Sequence, residues 1–108
     1  MAARYLEEQG CVSLERHYRK DHKEVHIIAL DHGELAVIEV KTRTNEERFT
    51  AEQAVDHRKR QNIIRVANNY VRRHRRTEPL RFDIIAIVGS GATAEIRHTK
   101  DAFNVMNY

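Results

Sequence analysis

The segment Glu34 to Lys41, ELAVIEVK, constrains the fold of this chain more than any other. Read as a strand, it places Ala36, Ile38 and Val40 on one face, and Leu35 and Val37 open the other. A strand apolar on both faces belongs at the centre of a sheet that is covered on both sides. Yet the second face continues into Glu39 and Lys41. Burying charge is costly unless the charge is paired or holds a metal ion. Any fold built on this strand must therefore provide for a carboxylate and an ammonium in or near its interior.

The register of the preceding strand decides what those two groups meet. Glu24 to Leu30 reads as that strand, joined to Glu34–Thr42 by a tight turn at Asp31-His32-Gly33, where glycine supplies positive φ. With His32-Gly33 as a two-residue loop, Asp31 faces Glu34, Leu30 faces Leu35 and Ile28 faces Val37. Continued outward, His26 faces Glu39 and Glu24 faces Lys41, all four on one face. Two readings fit. In one, the groups form cross-strand pairs, each worth about 0.2–1 kcal/mol when exposed. In the other, carboxylate oxygens hold a divalent ion while the lysine steadies developing phosphate charge or positions water.

The rest of the chain reads as alternating elements. Ala2 to Gln9 is predicted as a helix stopped by Gly10, and Val12 to Tyr18 as a first strand. Thr50 and Gln53 make a capping box, and Asp56 can cap a restart, which predicts a short helix over 51–55 and a long one over 57–74. Ile63, Ile64, Ala67, Tyr70 and Val71 recur at helical spacing and form its inner face. Phe82 to Val88 contains the run IIAIV and reads as a buried strand. Gly89-Ser90-Gly91 is a turn, and Ala94 to His98 reads as an edge strand. The order α-β-β-β-α-β predicts a single α/β domain over residues 1–108, with a mixed sheet of four to five strands: a meander, then a helical crossover.

Composition narrows the function. No apolar run approaches the ~18 residues of a membrane span, and no leader-like start is visible, so a cytoplasmic protein without membrane contact is expected. The lone Cys11 excludes an internal disulfide and a multi-cysteine zinc module. His22 and His26 stand four apart, but a strand at His26 keeps them from converging as a helix would. The net charge of +3 hides a segregation. From His57 to Arg76 there are eight basic residues, Arg58, Lys59, Arg60 and Arg65 among them, and no acid. Such a stripe suits either a polyanion, nucleic acid first, or a solvated helix face. The aromatic residues do not interleave with the basic ones, so phosphate contact is favoured over base stacking.

The stretch HKEVHIIALDHGELAVIEVKTR, followed by AEQAVDHRK and later RFDIIAI, resembles the YraN-type family of small bacterial proteins. That family is assigned to the restriction-endonuclease-like PD-(D/E)XK superfamily and is similar to archaeal Holliday-junction resolvases. The resemblance runs from Ala2 to Phe103. It implies a restriction-endonuclease-like fold, a nuclease acting on DNA with magnesium or manganese, and, by analogy, a homodimer. It also implies roles: Glu39 as metal ligand, Lys41 as the motif lysine, and Glu24 as the glutamate before the catalytic aspartate. Thr42, Arg43, Lys59 and Asp83 match recurrent positions with structural or phosphate-contacting roles.

The chain departs from the pattern where it matters most. His26 stands at the family's metal-binding aspartate. A neutral imidazole can ligate, but it suits zinc, manganese or nickel better than magnesium and brings no negative charge. The family's Gly-Glu pair upstream of Ala-Ala has no counterpart before Ala2, so that glutamate is expected to be absent. Two expectations follow. One is a nuclease-like nucleic-acid-binding protein whose metal site, Glu39 with His26, is altered. The alternative is a catalytically silent DNA- or protein-binding module on the same fold.

Overall fold

The computed structural model describes residues 1–106; Tyr108, among the aromatics of the sequence, lies outside them. Helix α1 spans Ala2–Glu8, strand β1 Val12–Lys20, strand β2 Lys23–Asp31 and strand β3 Glu34–Arg43. Helix α2 spans His57–Arg73, strand β4 Leu80–Val88 and strand β5 Glu95–Phe103. The strands form one five-stranded sheet in the order β1-β2-β3-β4-β5. β3 and β4 are parallel, joined by the α2 crossover, and the other neighbours are antiparallel. The chain is thus α/β with a mixed sheet, and β3 lies at its centre as its two apolar faces require.

Each face of the sheet has its own core. Ile28, Leu35, Val37, Phe82 and Ile84 pack under Ile63, Ala67 and Tyr70 of α2. Ala29, Ala36, Ile38 and Ile85 pack under Ala2 and Leu6 of α1. Both caps read from the sequence form. Asp56 accepts from Lys59 N–H at 2.9 Å and starts α2. Thr50 and Gln53 exchange bonds of 2.7 and 3.2 Å, but they close a single 3-10 turn, Glu52–Ala54, rather than a short α-helix. The last strand is longer than the expected 94–98, because a bulge opposite Asp83 lets it run on to Phe103 against Phe82.

The expected β2–β3 register holds from Asp31↔Glu34 to Ile27↔Ile38 and stops there. Val25 and Ile28 belong to the α2 face while Ile27 and Ala29 belong to the α1 face, so the alternation of β2 breaks at His26. His17, on the neighbouring strand, adopts φ +54° at the same level. The next β3 amide, Val40 N–H, donates to His26 Nδ1 at 2.9 Å instead of to main chain.

One end of the sheet is tied by a buried ion network. Arg81 meets both Asp83 oxygens at 2.9 and 2.8 Å, Asp31 at 2.8 Å and Glu34 at 3.0 Å. His98 Nε2–H reaches Asp83 at 2.7 Å, and its Nδ1 lies 3.2 Å from the Tyr5 hydroxyl on α1. Asp83 is fully buried. Burial raises its carboxyl, but hydrogen bonds from His98, Arg81 and Asp101 N–H outweigh burial and hold it below the usual range. Bonds from His32 and Arg81 hold Asp31 well below that range too.

Arg81→Met strips Asp83 and Asp31 of their shared cation, and urea unfolding is expected to show a loss of about 3–5 kcal/mol. These two depressed carboxyls also contribute to the acid limb of stability, together with the lowered Glu24, Glu46, Glu52 and Glu78. The unfolded value of the two aspartates is about 3.9, so their contribution is complete above that pH and is lost as pH falls through the lower folded values. Thermal melts from neutral pH to pH 2 should hold level to about 4 and then drop, and the drop should be shallower in Arg81→Met.

Candidate functional site

Glu39 and Lys41 continue the α2 face of β3 beyond Leu35 and Val37, where the first turn of α2 closes over them. The Asp56 cap fixes that turn and sets Lys59 above the strand. Glu39 is 1% exposed. Its Oε2 lies 3.3 Å from Lys59 Nζ and 3.9 Å from Lys41 Nζ. Its Oε1 lies 3.4 Å from His26 Nδ1. Neither oxygen accepts a hydrogen bond among the described residues. The carboxylate is balanced by charge without being anchored by donors.

The histidine does not complete that balance. Its Nδ1 accepts the Val40 N–H, so the ring proton of the neutral form resides on Nε2. Nδ1 then offers Glu39 a lone pair that is already engaged.

Glu24 does not join this group. The break in β2 turns it toward β1, 3.1 Å from His17 and 3.5 Å from Arg19. Burial raises its carboxyl, but Arg19 and His17 outweigh that and lower it. The four-group face expected from ideal alternation is therefore reduced to His26, Glu39 and Lys41, with Lys59 supplied by the helix.

A magnesium or manganese ion does not fit these residues. Hard dications need several oxygen ligands. Here there is one carboxylate, flanked by two ammoniums that repel a dication, and an imidazole whose near nitrogen is occupied. Among the described residues, no group of three or more His, Cys, Asp or Glu side chains is arranged to hold a metal ion.

The remaining basic residues divide by surroundings. Arg43 is exposed at the end of β3, where it lines a cleft with Phe49, Thr50 and Gln53, and Arg58 is exposed in the first turn of α2. Arg60 is turned inward: its Nε donates to Val55 O at 2.7 Å and its guanidinium lies 5.2 Å from the Phe103 ring centre. Arg65 is exposed on a different stretch of α2, beside Lys20, Lys23 and Arg72. Arg72 belongs to the basic stripe read from the sequence, but Lys20 and Lys23 escaped that reading, because only the fold brings the β1–β2 hairpin to the helix. Arg97, also missed, ties Glu46 and Glu52 to β5 at 2.6 and 2.8 Å and so anchors the loop before α2.

With this geometry in view, the relatives are informative. Residues 1–87 match the uncharacterised protein family UPF0102. A UPF0102 protein of Bacteroides thetaiotaomicron is 40% identical over 102 residues, covering 94% of this chain and 84% of the relative. One from Chlorobaculum parvum is 40% identical over 114 residues, covering 97% and 87%. One from Porphyromonas gingivalis is 37% identical over 108 residues, covering 98% and 80%. The chain is an α/β protein of the UPF0102, or YraN-type, family. No helix among the described residues is long and apolar enough to cross a membrane.

The tension at Glu39 can be measured. Lys59→Met removes the nearer cation and is expected to cost about 1–2 kcal/mol in urea unfolding, below the value for a sealed pair because Lys59 keeps partial contact with water. Glu39→Gln removes the buried charge and should be neutral or stabilising, and Lys59→Met should then cost little in that background.

Proposed function

We propose that this chain is a nucleic-acid-binding domain with a restriction-endonuclease-like fold, and that it does not use a divalent ion at Glu39. The antiparallel β1-β2-β3 meander followed by a helical crossover to a parallel β4 supports the fold assignment. One observation carries the function: the Lys59 ammonium stands 3.3 Å from Glu39 while His26 Nδ1 is engaged by Val40 N–H. The dication's charge is supplied by a side chain, and the second carboxylate that would compete for an ion is replaced.

The ligand chemistry follows from what remains outward. Lys41 and Lys59 are partly exposed, at 24% and 35%. Arg43, two residues beyond Lys41 on β3, and Arg58, just before Lys59 on α2, are exposed. These groups can meet phosphates, which gives affinity and orientation with little sequence information. DNA is the ligand of choice on this reading.

The reading is tested by anisotropy of labelled linear and branched DNA at low and high salt, with manganese calorimetry and a cleavage assay alongside. Binding is expected to weaken by one to several powers of ten between about 50 and 200 mM salt. No saturable manganese binding and no cleavage are expected. The competing reading is a working metal-dependent nuclease, favoured by the two Glu39 oxygens that lack hydrogen bonds. Saturable manganese binding that disappears in Glu39→Ala, together with cleavage, would establish that reading instead.

A further inference from the structure

The turn between β1 and β2 breaks two local rules. Asp21 adopts φ 53°, which aspartate tolerates, but His22 follows at 66° where a two-residue turn of this kind favours glycine. The pair it closes is Lys20 opposite Lys23, like charges that repel directly across a ladder. Local rules are broken more often at functional sites than elsewhere in a fold.

Beside this turn, between the hairpin end and α2, lies an open cleft of about 330 Å³. Lys20, Lys23, Arg65 and Arg72 line it together with Asn69, and Asp21 is the one acid among its lining residues. Arg65 and Arg72 are two helical turns apart and therefore share a face of α2. Lys20 comes within 4.0 Å of Asp21, with both side chains well exposed, so that pair is weak. Lys23, Arg65 and Arg72 make no ion pair with an acid among the described residues. Asn69 Oδ1 accepts from the Tyr18 hydroxyl at 2.9 Å, which leaves its amide N–H groups as the donors it can offer a ligand.

We propose that this cleft binds closely spaced phosphates, either the phosphate chain of a nucleotide or consecutive phosphates of a nucleic-acid strand. Four cations facing one carboxylate focus a positive potential that a single small anion would not balance. Two guanidiniums on one helix face provide forked donors that match phosphate oxygens, and the lysines close the opposite wall. The site stands on these residues alone and is independent of the Glu39 group, from which its test variants are also separate.

The test is a titration of inorganic triphosphate into the full chain at low salt, followed by ¹H–¹⁵N NMR. Saturable shifts are expected at the backbone amides of residues 20–23 and at the Asn69 side-chain amide. Lys23→Thr combined with Arg72→Gln should bind at least about tenfold more weakly. The variant should melt no lower than the wild type, because losing Lys23 relieves its repulsion with Lys20. Absence of saturable shifts at these positions, or unchanged affinity in the double variant, overturns the proposal. Short single-stranded DNA that displaces triphosphate identifies the strand backbone as occupant. DNA that binds elsewhere without displacing it assigns the cleft to a free phosphate-chain ligand.

Discussion

A buried carboxylate can be held by donors or balanced by charge, and Glu39 is held in the second way. Its position on β3 is forced by the strand's own alternation, since Leu35 and Val37 must lie under α2. The carboxylate therefore faces the helix, and the helix must answer it. Lys59 does so from the first turn, which the Asp56 cap holds in place. Arg60 on the same turn reaches back to Val55 and Phe103 and locks the helix start against the loop before it and the last strand. The placement of α2, the closure of the sheet and the charge balance at Glu39 are one constraint seen from three sides.

The two ends of β3 treat buried charge in opposite ways. Near its start, Arg81 meets Asp31 and Asp83 in forked geometry, and Asp83 also receives His98 and a backbone amide. Among the described residues, every buried side-chain polar atom there has a hydrogen-bond partner, so the network works as structure. Near its end, Glu39 has ammoniums close by but no hydrogen bond. Electrostatic balance without geometric satisfaction leaves the groups able to change partners, and on the nucleic-acid reading proposed above a phosphate approaching Lys41 and Lys59 is the competitor. This contrast, more than the presence of charge, separates the fold-holding end of the sheet from the candidate binding end.

Much of the fold was legible in the sequence because it rests on short-range rules. The apolar alternation of β3, the caps of Thr50 and Asp56, and the tight turn at His32-Gly33 each depend on neighbours a few residues away. The hairpin register was legible for the same reason, as far as Ile27. It was lost at His26, where the imidazole accepts a backbone N–H and β2 breaks its alternation. That break removed Glu24 from the site, and period-two arithmetic has no term for it.

The sequence alone determined that this chain builds an α/β sheet around a strand carrying Glu39 and Lys41, with His26 on the strand before it. Local propensity and periodicity suffice for those conclusions. Tertiary structure alone decided which cation reaches Glu39, that Arg60 serves packing, and that Lys20 and Lys23 meet Arg65 and Arg72. Those partners come from elements far apart in the chain, and only the crossover of α2 over a twisted sheet sets the distance between them.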